Sequence, residues 1–398
     1  MKTSLSQRLT KLSVAAVFAA ASSVSAEDVP MVNVGGAKIS MYGFLQFNSV
    51  TEDGVTRTTA TNWSYVAPSD NKKGGTRTLL NVNHTRIGFN FSGPAKDGEP
   101  EVTGKFESDF NQAADRNTNG NPGFRIRQSF GQVKFKDLGL TLLLGQAKEV
   151  VSPLDPSVLS EGTVNYAGNI ANRKPQIRLS QALGAMEIAI AAVDDQGANI
   201  PNVPAFQGRI GAKIPAGWAG EKQNLEMGVS GHFAKEKNAD TVDNQSYQQV
   251  PRSWSIDVDL SLPIISTLGL SGEFFYGQDL RRYANGSVGL TPADNADPTK
   301  GVKSLGGWGA LGLKLPASLS FYGGLGVESI SNDDDLKPGV RNSNMAIFTN
   351  LKYNFISNAF LGFEYFRIAT DYANKADGSK TPSGAINRYE LAFQYAFK

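Results

Sequence analysis

Charged side chains recur at every second position in several stretches of this 398-residue chain. The stretch EVTGKFESDF puts Glu107 and Asp109 on one side of an extended backbone, and the stretch FRIR puts Arg125 and Arg127 on one side of another. Carboxylate rows attract cations, whereas guanidinium groups bind carboxylates and phosphates through paired hydrogen bonds. These residues therefore suggest electrostatic selection of charged or dipolar solutes, with no bond made or broken.

Covalent, metal and nucleic-acid chemistry find little support in the same sequence. The chain has no Cys, which excludes disulfides and thiolate metal sites. Its two histidines are His84 and His232, and no Gly-x-Ser-x-Gly nucleophile motif occurs. The acidic run at 333–335 reads as a solvated loop tip rather than a Ca²⁺ site. Because the net charge is only +2 and the basic residues are dispersed, we expect no nucleic-acid partner. Because the nucleophile and metal-site motifs are missing, we expect no enzyme activity, no cofactor and no metal.

The alternation predicts β-strands with two unlike faces. In five clear strands the apolar side carries no charge, as in Val102 and Phe106 or Ile256 and Val258. The opposite side holds the acids Asp257 and Asp259, together with Glu226, His232, Glu328, Arg388 and Glu390. A soluble sheet would bury the apolar side. A barrel in a membrane would turn it to lipid, where a Lys or Arg near the midplane costs about 2–4 kcal/mol.

Sixteen such strands are predicted after the N-terminal region, and no strong helical pattern is found. They cover 37–49, 82–92, 101–110, 124–135, 139–147, 175–182, 185–194, 205–214, 224–235, 252–262, 268–277, 304–315, 318–330, 343–353, 358–370 and 386–397. The connections after odd-numbered strands tend to be long and those after even-numbered strands short. Long loops at one rim and short turns at the other are typical of outer-membrane barrels.

The two ends of the chain point to export and membrane assembly. Residues 1–26 carry Lys2, Arg8 and Lys11, an apolar run and a Val-Ser-Ala cleavage site, which predicts a secretory signal peptide. The mean hydropathy of −0.26 excludes a bundle of spanning helices, so an exported chain could enter a membrane only as a closed barrel. The terminal stretch RYELAFQYAF has a large aromatic or apolar residue at every second position from Tyr389 to Phe397, like the closing strand of such barrels.

Several stretches together resemble the sixteen-stranded general porins of Gram-negative outer membranes. KISMYGFLQF is similar to their first strand and HTRIGFNFSG to their second. FRIRQSFGQVKFKDLGLTLLLGQ is similar to their fourth and fifth strands, and NRKPQIRLSQALGAMEIAIAAV to their sixth and seventh. The segment GQAKEVVSPLDPSVLSEGTVNYAGNIANRKPQIRLSQ resembles the narrower group of DcaP-like porins.

The resemblance implies an all-β, transmembrane, antiparallel barrel over residues 27–398, with a constriction loop at about 148–174 folded into the lumen. Asp155 and Glu161 would be the acids of this loop. The facing basic residues would be Arg86, Arg125, Arg127, Arg173 and Arg178. The residues Glu107, Asp109, Asp257 and Asp259 would also line the pore.

The function that this resemblance implies is passive diffusion of small hydrophilic solutes through a homotrimer in the outer membrane, in contact with lipid and lipopolysaccharide. The five arginines favour anions, but the luminal acids oppose them, and each arginine could equally form a structural ion pair in the wall. Two alternatives remain open. One is a non-conducting surface barrel, such as an adhesin or structural anchor, and the other is an exported soluble β-protein that binds glycans.

Overall fold

The computed structural model describes residues 32–53, 65–71, 75–94, 98–112, 123–159, 164–170, 172–194, 204–235, 252–283 and 286–397. The predicted signal peptide, residues 1–26, lies outside this part of the chain. Within it, no helix is long and apolar enough to cross a membrane. The helical elements described are single 3₁₀ turns, and the remaining regular structure is β-strand.

Eighteen strands are present among the described residues. They are β1 (Val32–Val34), β2 (Ala37–Asp53), β3 (Thr76–Asn81), β4 (Arg86–Ser92), β5 (Glu101–Gln112), β6 (Gly123–Phe135), β7 (Leu140–Lys148), β8 (Arg173–Leu183), β9 (Met186–Val193), β10 (Ala205–Pro215), β11 (Asn224–Lys235), β12 (Arg252–Ile265), β13 (Leu268–Gln278), β14 (Lys303–Leu315), β15 (Leu319–Ile330), β16 (Arg341–Ile356), β17 (Ala359–Tyr372) and β18 (Gly384–Phe397).

These strands form one closed antiparallel barrel. From β4 to β18 each strand pairs with the next, and β18 pairs with β2 to complete the ring. The short β1 only folds back on the start of β2. Both β3 and β4 pair with β2, at different heights, and so form two halves of a single position in the ring. Sixteen positions result, which confirms the predicted sixteen-stranded fold.

The main departure from prediction is the second position of the ring, which begins at Thr76 rather than residue 82. A tight turn closed by the Thr85 N–H and the Val82 carbonyl interrupts it between β3 and β4. On the neighbouring strand the Gln46 N–H loses its ladder partner there and donates instead to Thr85 Oγ1 at 3.1 Å. Because a side chain replaces the missing acceptor, the Gln46 N–H stays paired across the interruption.

The apolar face of the strands lies outside the barrel and the charged face lies inside. Val102 is 52% exposed and Leu391 59%, whereas Asp109 on the opposite face of β5 is fully buried. The same division holds on β12, where Ile256 is exposed and Asp257 is buried. The predicted orientation of the faces is therefore confirmed.

The connections differ between the two rims as predicted. Short turns join β6 to β7, β8 to β9, β12 to β13, β14 to β15 and β16 to β17. The first of these is a 3₁₀ turn closed by Gly139 at φ 63°, a left-handed conformation that glycine adopts without strain. The opposite rim carries the long connections, including residues 279–302 between β13 and β14.

One long connection, between β7 and β8, runs inward from its rim. Its described residues hydrogen-bond to groups on the inner wall, for example Leu154 N–H to Glu273 and Leu159 N–H to Glu364. We call residues 149–172 the inner segment. It corresponds to the loop predicted at 148–174, although residues 160–163 and 171 lie outside the described part.

The outward apolar face predicts the effect of a charge at its middle. In Val258→Arg the guanidinium would meet lipid near the centre of β12, and we expect the free energy of unfolding in lipid vesicles to fall by about 2–4 kcal/mol. Urea titration followed by tryptophan fluorescence measures this change, with Val258→Leu as the control. Equal stability of the two variants would contradict an outer face that contacts lipid.

Candidate functional site

A compact cluster of three arginines and two carboxylates lies on the inner wall of β4, β5 and β6. Arg127 stands between the two acids, with Nε 2.8 Å from Glu107 Oε1 and Nη1 2.9 Å from Asp109 Oδ2. Arg125 donates two hydrogen bonds to Asp109, at 2.8 and 2.5 Å. Arg86 Nη1 lies 3.7 Å from Glu107 Oε1. Three predicted basic residues and two predicted pore-lining acids are thus brought together.

A β-bulge explains why two arginines of β6 face the same two acids. Glu107 pairs with Gln128, but the next residue of β5, Ser108, pairs with Ile126 and skips Arg127. The extra residue reverses the alternation of β6 beyond this point. As a result Ile126 faces outward, 45% exposed, while Arg127 is buried on the inner side.

The members of this cluster differ in how far they reach into the interior. The Arg127 side chain is only 3% exposed, so it holds the acids in place. The side chains of Arg86, Arg125 and Lys105 are 22%, 32% and 29% exposed. Tyr42 also donates its hydroxyl to Glu107 at 2.8 Å, which fixes the second oxygen of that acid. Arg86, Arg125 and Lys105 are therefore the groups that a solute in the interior could contact.

The other predicted loop and basic residues are more dispersed. Arg178 has the inward alternation of β8, and its Nη1 lies 3.4 Å from the Lys148 carbonyl. Arg173, the first residue of β8, shares the alternation of Ile177, which is 60% exposed outside, so the register does not group it with the cluster. Asp155 on the inner segment accepts from Lys148 Nζ at 2.6 Å. The other predicted acid, Glu161, lies outside the described residues.

The two predicted pore-lining acids of β12 both face inward and both have fixed partners. Asp259 accepts from Arg209 Nη2 at 2.6 Å. Asp257 accepts from the Ser255 hydroxyl at 2.8 Å, and Ser255 Oγ lies 2.7 Å from His232 Nδ1. His232 thus belongs to a buried polar network of the wall. No group of three or more His, Cys, Asp or Glu in the described residues is placed to hold a metal ion.

Two cations of the interior were not predicted from the sequence. Arg209 stands beside the exposed Ile210, so its alternation signals an inward side chain. Lys148 carried no such signal, because its contact with Asp155 arises only where the chain turns inward after β7. The Lys148–Asp155 pair depends on the course of the inner segment, and the Arg209–Asp259 pair joins β10 to β12 across β11, so neither pair follows from alternation alone.

Carboxylates of the wall hold the backbone of the inner segment. Glu273 accepts from the Leu154 N–H at 2.6 Å and Glu364 from the Leu159 N–H at 2.8 Å. At the root of the segment, Glu149 accepts from the Asn172 N–H at 3.0 Å. We call the two wall acids, Glu273 and Glu364, the clamp acids. A charged acceptor strengthens each hydrogen bond to about twice that of a neutral pair.

Small and apolar residues complete this docking surface. Val164 and Ala167 of the inner segment pack in one cluster with Trp308, Phe348 and Phe366 of the wall. A Cβ atom on Gly326 would collide with the carbonyl oxygen of Ala167, so the close approach of the two backbones requires glycine there. The described contacts of the inner segment with the wall fall on β7, on β10 to β17 and on β2, whereas the arginine cluster lies on β4 to β6.

A second inward-turned connection begins at Asp279, just beyond the end of β13. Its carboxylate accepts from the Val302 N–H at 2.7 Å and is almost fully buried. Burial raises the pKa of Asp279 to about 6, although the hydrogen bonds from Val302 and Gln278 oppose the rise. The carboxylate of Asp279 therefore joins the two ends of the 279–302 connection. It gains or loses its charge at a mildly acidic pH.

Comparisons with known proteins support the fold. No family model matches the chain, and no curated protein sequence matches it significantly. Among solved structures, the outer membrane channel DcaP of Acinetobacter baumannii shares 19% identity at a TM-score of 0.72, covering 92% of this chain and 99% of that one. An anion-selective porin from Comamonas acidovorans shares 12% identity at 0.58, covering 91% and 100%. OmpF of Salmonella typhi shares 11% at 0.57, covering 92% and 100%. At these identities the likeness establishes the barrel fold.

The clamp acids predict the mobility of the inner segment. Glu364→Ala would leave the buried Leu159 N–H without its acceptor, at a cost of about 1–3 kcal/mol, and would leave Asn350 Nδ2 with the Ser157 carbonyl as its acceptor. We expect a nitroxide on Ser157→Cys to become more mobile by electron paramagnetic resonance in this variant. The chain has no native Cys, so the label is unique.

Two controls accompany this measurement. Glu364→Gln keeps an acceptor oxygen and should leave the label immobile. Glu226→Ala removes an acid whose partner among the described residues is Lys213, near the short-turn rim, and should also leave the label immobile. An equally immobile label in Glu364→Ala would show that the clamp acids do not position the segment.

Asp279 predicts a pH dependence of the 279–302 connection. Because its folded-state pKa of about 6 exceeds the ordinary value of 3.8, its stabilising contribution is complete below 3.8 and is lost as pH rises through 6. Asp279→Asn keeps the acceptor and has no charge, so it should retain that contribution at neutral pH. Hydrogen exchange of the connection should be slower in Asp279→Asn than in the parent above pH 6 and equal near 3.8. Equal exchange at both values would contradict the assignment.

Proposed function

We propose that this protein is an outer-membrane porin of Gram-negative bacteria, which forms a water-filled channel for passive diffusion of small hydrophilic solutes. The observation that carries the proposal is the inside-out distribution of side chains around a closed ring. Apolar side chains such as Val102 and Leu391 face outward, and ion pairs such as Arg125–Asp109 face inward. A water-filled lumen tolerates charges that hydrocarbon excludes.

We further propose that the inner segment constricts this channel. Its clamp acids fix it to the wall on the β13 and β17 side, and its exposed Asp155 carries a charge into the interior. The passage would then run between the inner segment and the arginine cluster of β4 to β6. Opposed charges across a narrow passage with low-dielectric walls set a transverse field that orients dipolar and charged solutes.

Anion preference is part of the proposal and rests on the composition of the arginine cluster. Four cations meet two carboxylates there, which leaves two positive charges. The cations are Arg86, Lys105, Arg125 and Arg127, and the acids are Glu107 and Asp109. Glu273 and Glu364 lie on β13 and β17, away from this cluster, and their oxygens accept from the inner segment. Arg173 and Glu161 remain predicted members of the constriction.

The proposed assembly is a homotrimer in contact with outer-membrane lipid and lipopolysaccharide, without enzyme activity. OmpT of Vibrio cholerae, another outer-membrane barrel of the same fold, is known in a trimer form at 11% identity and a TM-score of 0.53, covering 91% of this chain and all of that one. The rows of apolar side chains on the outer face argue against the alternative of a soluble glycan-binding protein. A non-conducting surface barrel would differ from a porin in passing no current.

Single-channel recording tests the function and its selectivity together. Purified protein added to a planar bilayer should produce discrete steps of current, and in a salt gradient the reversal potential should indicate anion preference. Replacing the two partly exposed arginines, Arg86→Ala with Arg125→Ala, should lower the anion-to-cation permeability ratio by about 2–5-fold, because together they contribute roughly 0.5–1 kcal/mol of attraction.

A matched control separates the cluster from net charge. Lys136→Ala with Lys213→Ala also removes two positive charges, but at exposed positions near the short-turn rim, paired to Glu101 and Glu226. This double variant should leave the reversal potential nearly unchanged. A shift as large as that of the arginine variant would mean that the cluster is not the selective element. The absence of current steps in the parent protein would instead favour a non-conducting barrel.

A further inference from the structure

A recess lies on the inner wall at the short-turn end of the barrel, below the tip of the inner segment. Its volume is about 260 Å³. The lining includes Ser157 of the inner segment and the wall residues Lys314, Ser320, Tyr322, Asn350 and Lys352. The long connections, where residues outside the described part are concentrated, lie at the opposite rim. The recess is therefore built from described strands and short turns.

Lys352 is one of the two lysines that line this recess, with Lys314. It alternates with Leu351 and Tyr353, which are 42% and 40% exposed on the outer face, so its side chain points inward. Its Nζ lies 3.4 Å from Ser157 Oγ and 5.5 Å from the centre of the Phe360 ring. Within the part of the chain that the structure describes, no carboxylate lies within ion-pair distance of this ammonium. It differs in this respect from Arg125 and Lys105, which are paired.

The carboxylate of Glu364, which is close to Lys352, accepts hydrogen bonds from other groups. Glu364 attracts Lys352 electrostatically, but its Oε2 accepts from the Leu159 N–H at 2.8 Å and from Asn350 Nδ2 at 3.1 Å. The clamp thus turns the only nearby carboxylate among the described residues toward the inner segment. Lys352 is left with donor capacity directed into the recess, since an ammonium carries three N–H donors and its described hydrogen-bond partner is one hydroxyl.

Hydroxyl groups and open space surround this ammonium. The Tyr322 hydroxyl lies 3.2 Å from Ser271 Oγ, and Ser320 and Lys314 stand on the same inner face. Gly269 and Gly312 carry no side chain there, which leaves room for a solute. A group with several oxygen acceptors and a negative charge matches this set, because it can bind an ammonium and hydroxyls together.

We propose that the recess is an oxyanion subsite, in which Lys352 binds the phosphate or carboxylate group of a solute in transit near the short-turn exit of the channel. The proposal rests on the porin function proposed above and adds a second specificity-determining position to it. The arginine cluster selects charge at the constriction. The subsite retains oxyanions beyond it, on the side that short turns place toward the periplasm.

Inorganic phosphate is the probe, measured as block of the chloride current through single channels. Phosphate added on the short-turn side should reduce the current at lower concentration than phosphate added on the other side. Lys352→Gln should raise the half-blocking concentration about 3–10-fold, because a hydrogen-bonded charge is worth about 1 kcal/mol or slightly more. Lys352→Arg keeps the charge and should stay within about twofold of the parent.

Lys213→Gln is the matched control, since Lys213 also lies near the short-turn end but outside the recess and is paired with Glu226. It should not change the block. The subsite is overturned if phosphate fails to block the parent channel. It is also overturned if phosphate blocks Lys352→Gln at the same concentration as the parent, or if Lys213→Gln raises the half-blocking concentration as much as Lys352→Gln does. Each of these results requires current steps in the parent, so none can be confused with failure of the porin function, which would abolish the steps themselves.

Discussion

A backbone segment that enters a barrel must find acceptors for its buried N–H groups, and this requirement determines the interior of the protein. The clamp acids meet it. Glu273 accepts from Leu154 and also from the Trp308 indole at 3.1 Å, while Glu364 accepts from Leu159 and from Asn350. Each carboxylate therefore joins the inner segment to a second point of the wall. The clamps position the segment through charged hydrogen bonds, and the apolar cluster around Phe348 fills the space beside them.

The use of acids as clamps changes the charge that the remaining interior presents. In the sequence Glu273 and Glu364 simply add to the negative side of the lumen. In the folded chain their oxygens face backbone donors, and the arc of β4 to β6 keeps more cations than acids. Arg127 shows the complementary use of a base, since it is buried between Glu107 and Asp109 and orders the more exposed Arg125. Formal charge alone is therefore a poor guide to the field inside the barrel.

Alternation in the sequence predicted the number of strands, their faces and the unequal rims, because each depends on neighbours one or two residues away. It did not predict β3, whose place in the ring depends on a side-chain acceptor from Thr85. Alternation also did not predict the bulge at Arg127, because a bulge depends on how two strands pair with each other. The motif match placed Arg173 at the constriction, and this stays a prediction, because the alternation of β8 only shows that Arg173 is in phase with the outward-facing Ile177.

The strands whose sequences say least about which face points inward are the ones against which the inner segment packs. On β14 the run GGWGALG has small or apolar residues at inward and outward positions alike, so alternation gives no orientation there. Inward-facing Gly306 lies close to the Phe275 ring, and Gly326 on β15 lies against the Ala167 carbonyl. A wall facing water needs polar inward residues, whereas a wall facing a docked backbone needs small ones and a few strong acceptors. A run within a strand that lacks charge on both faces, like GGWGALG, next to strands with isolated acids such as Glu273 and Glu328, therefore indicates an inner face covered by protein.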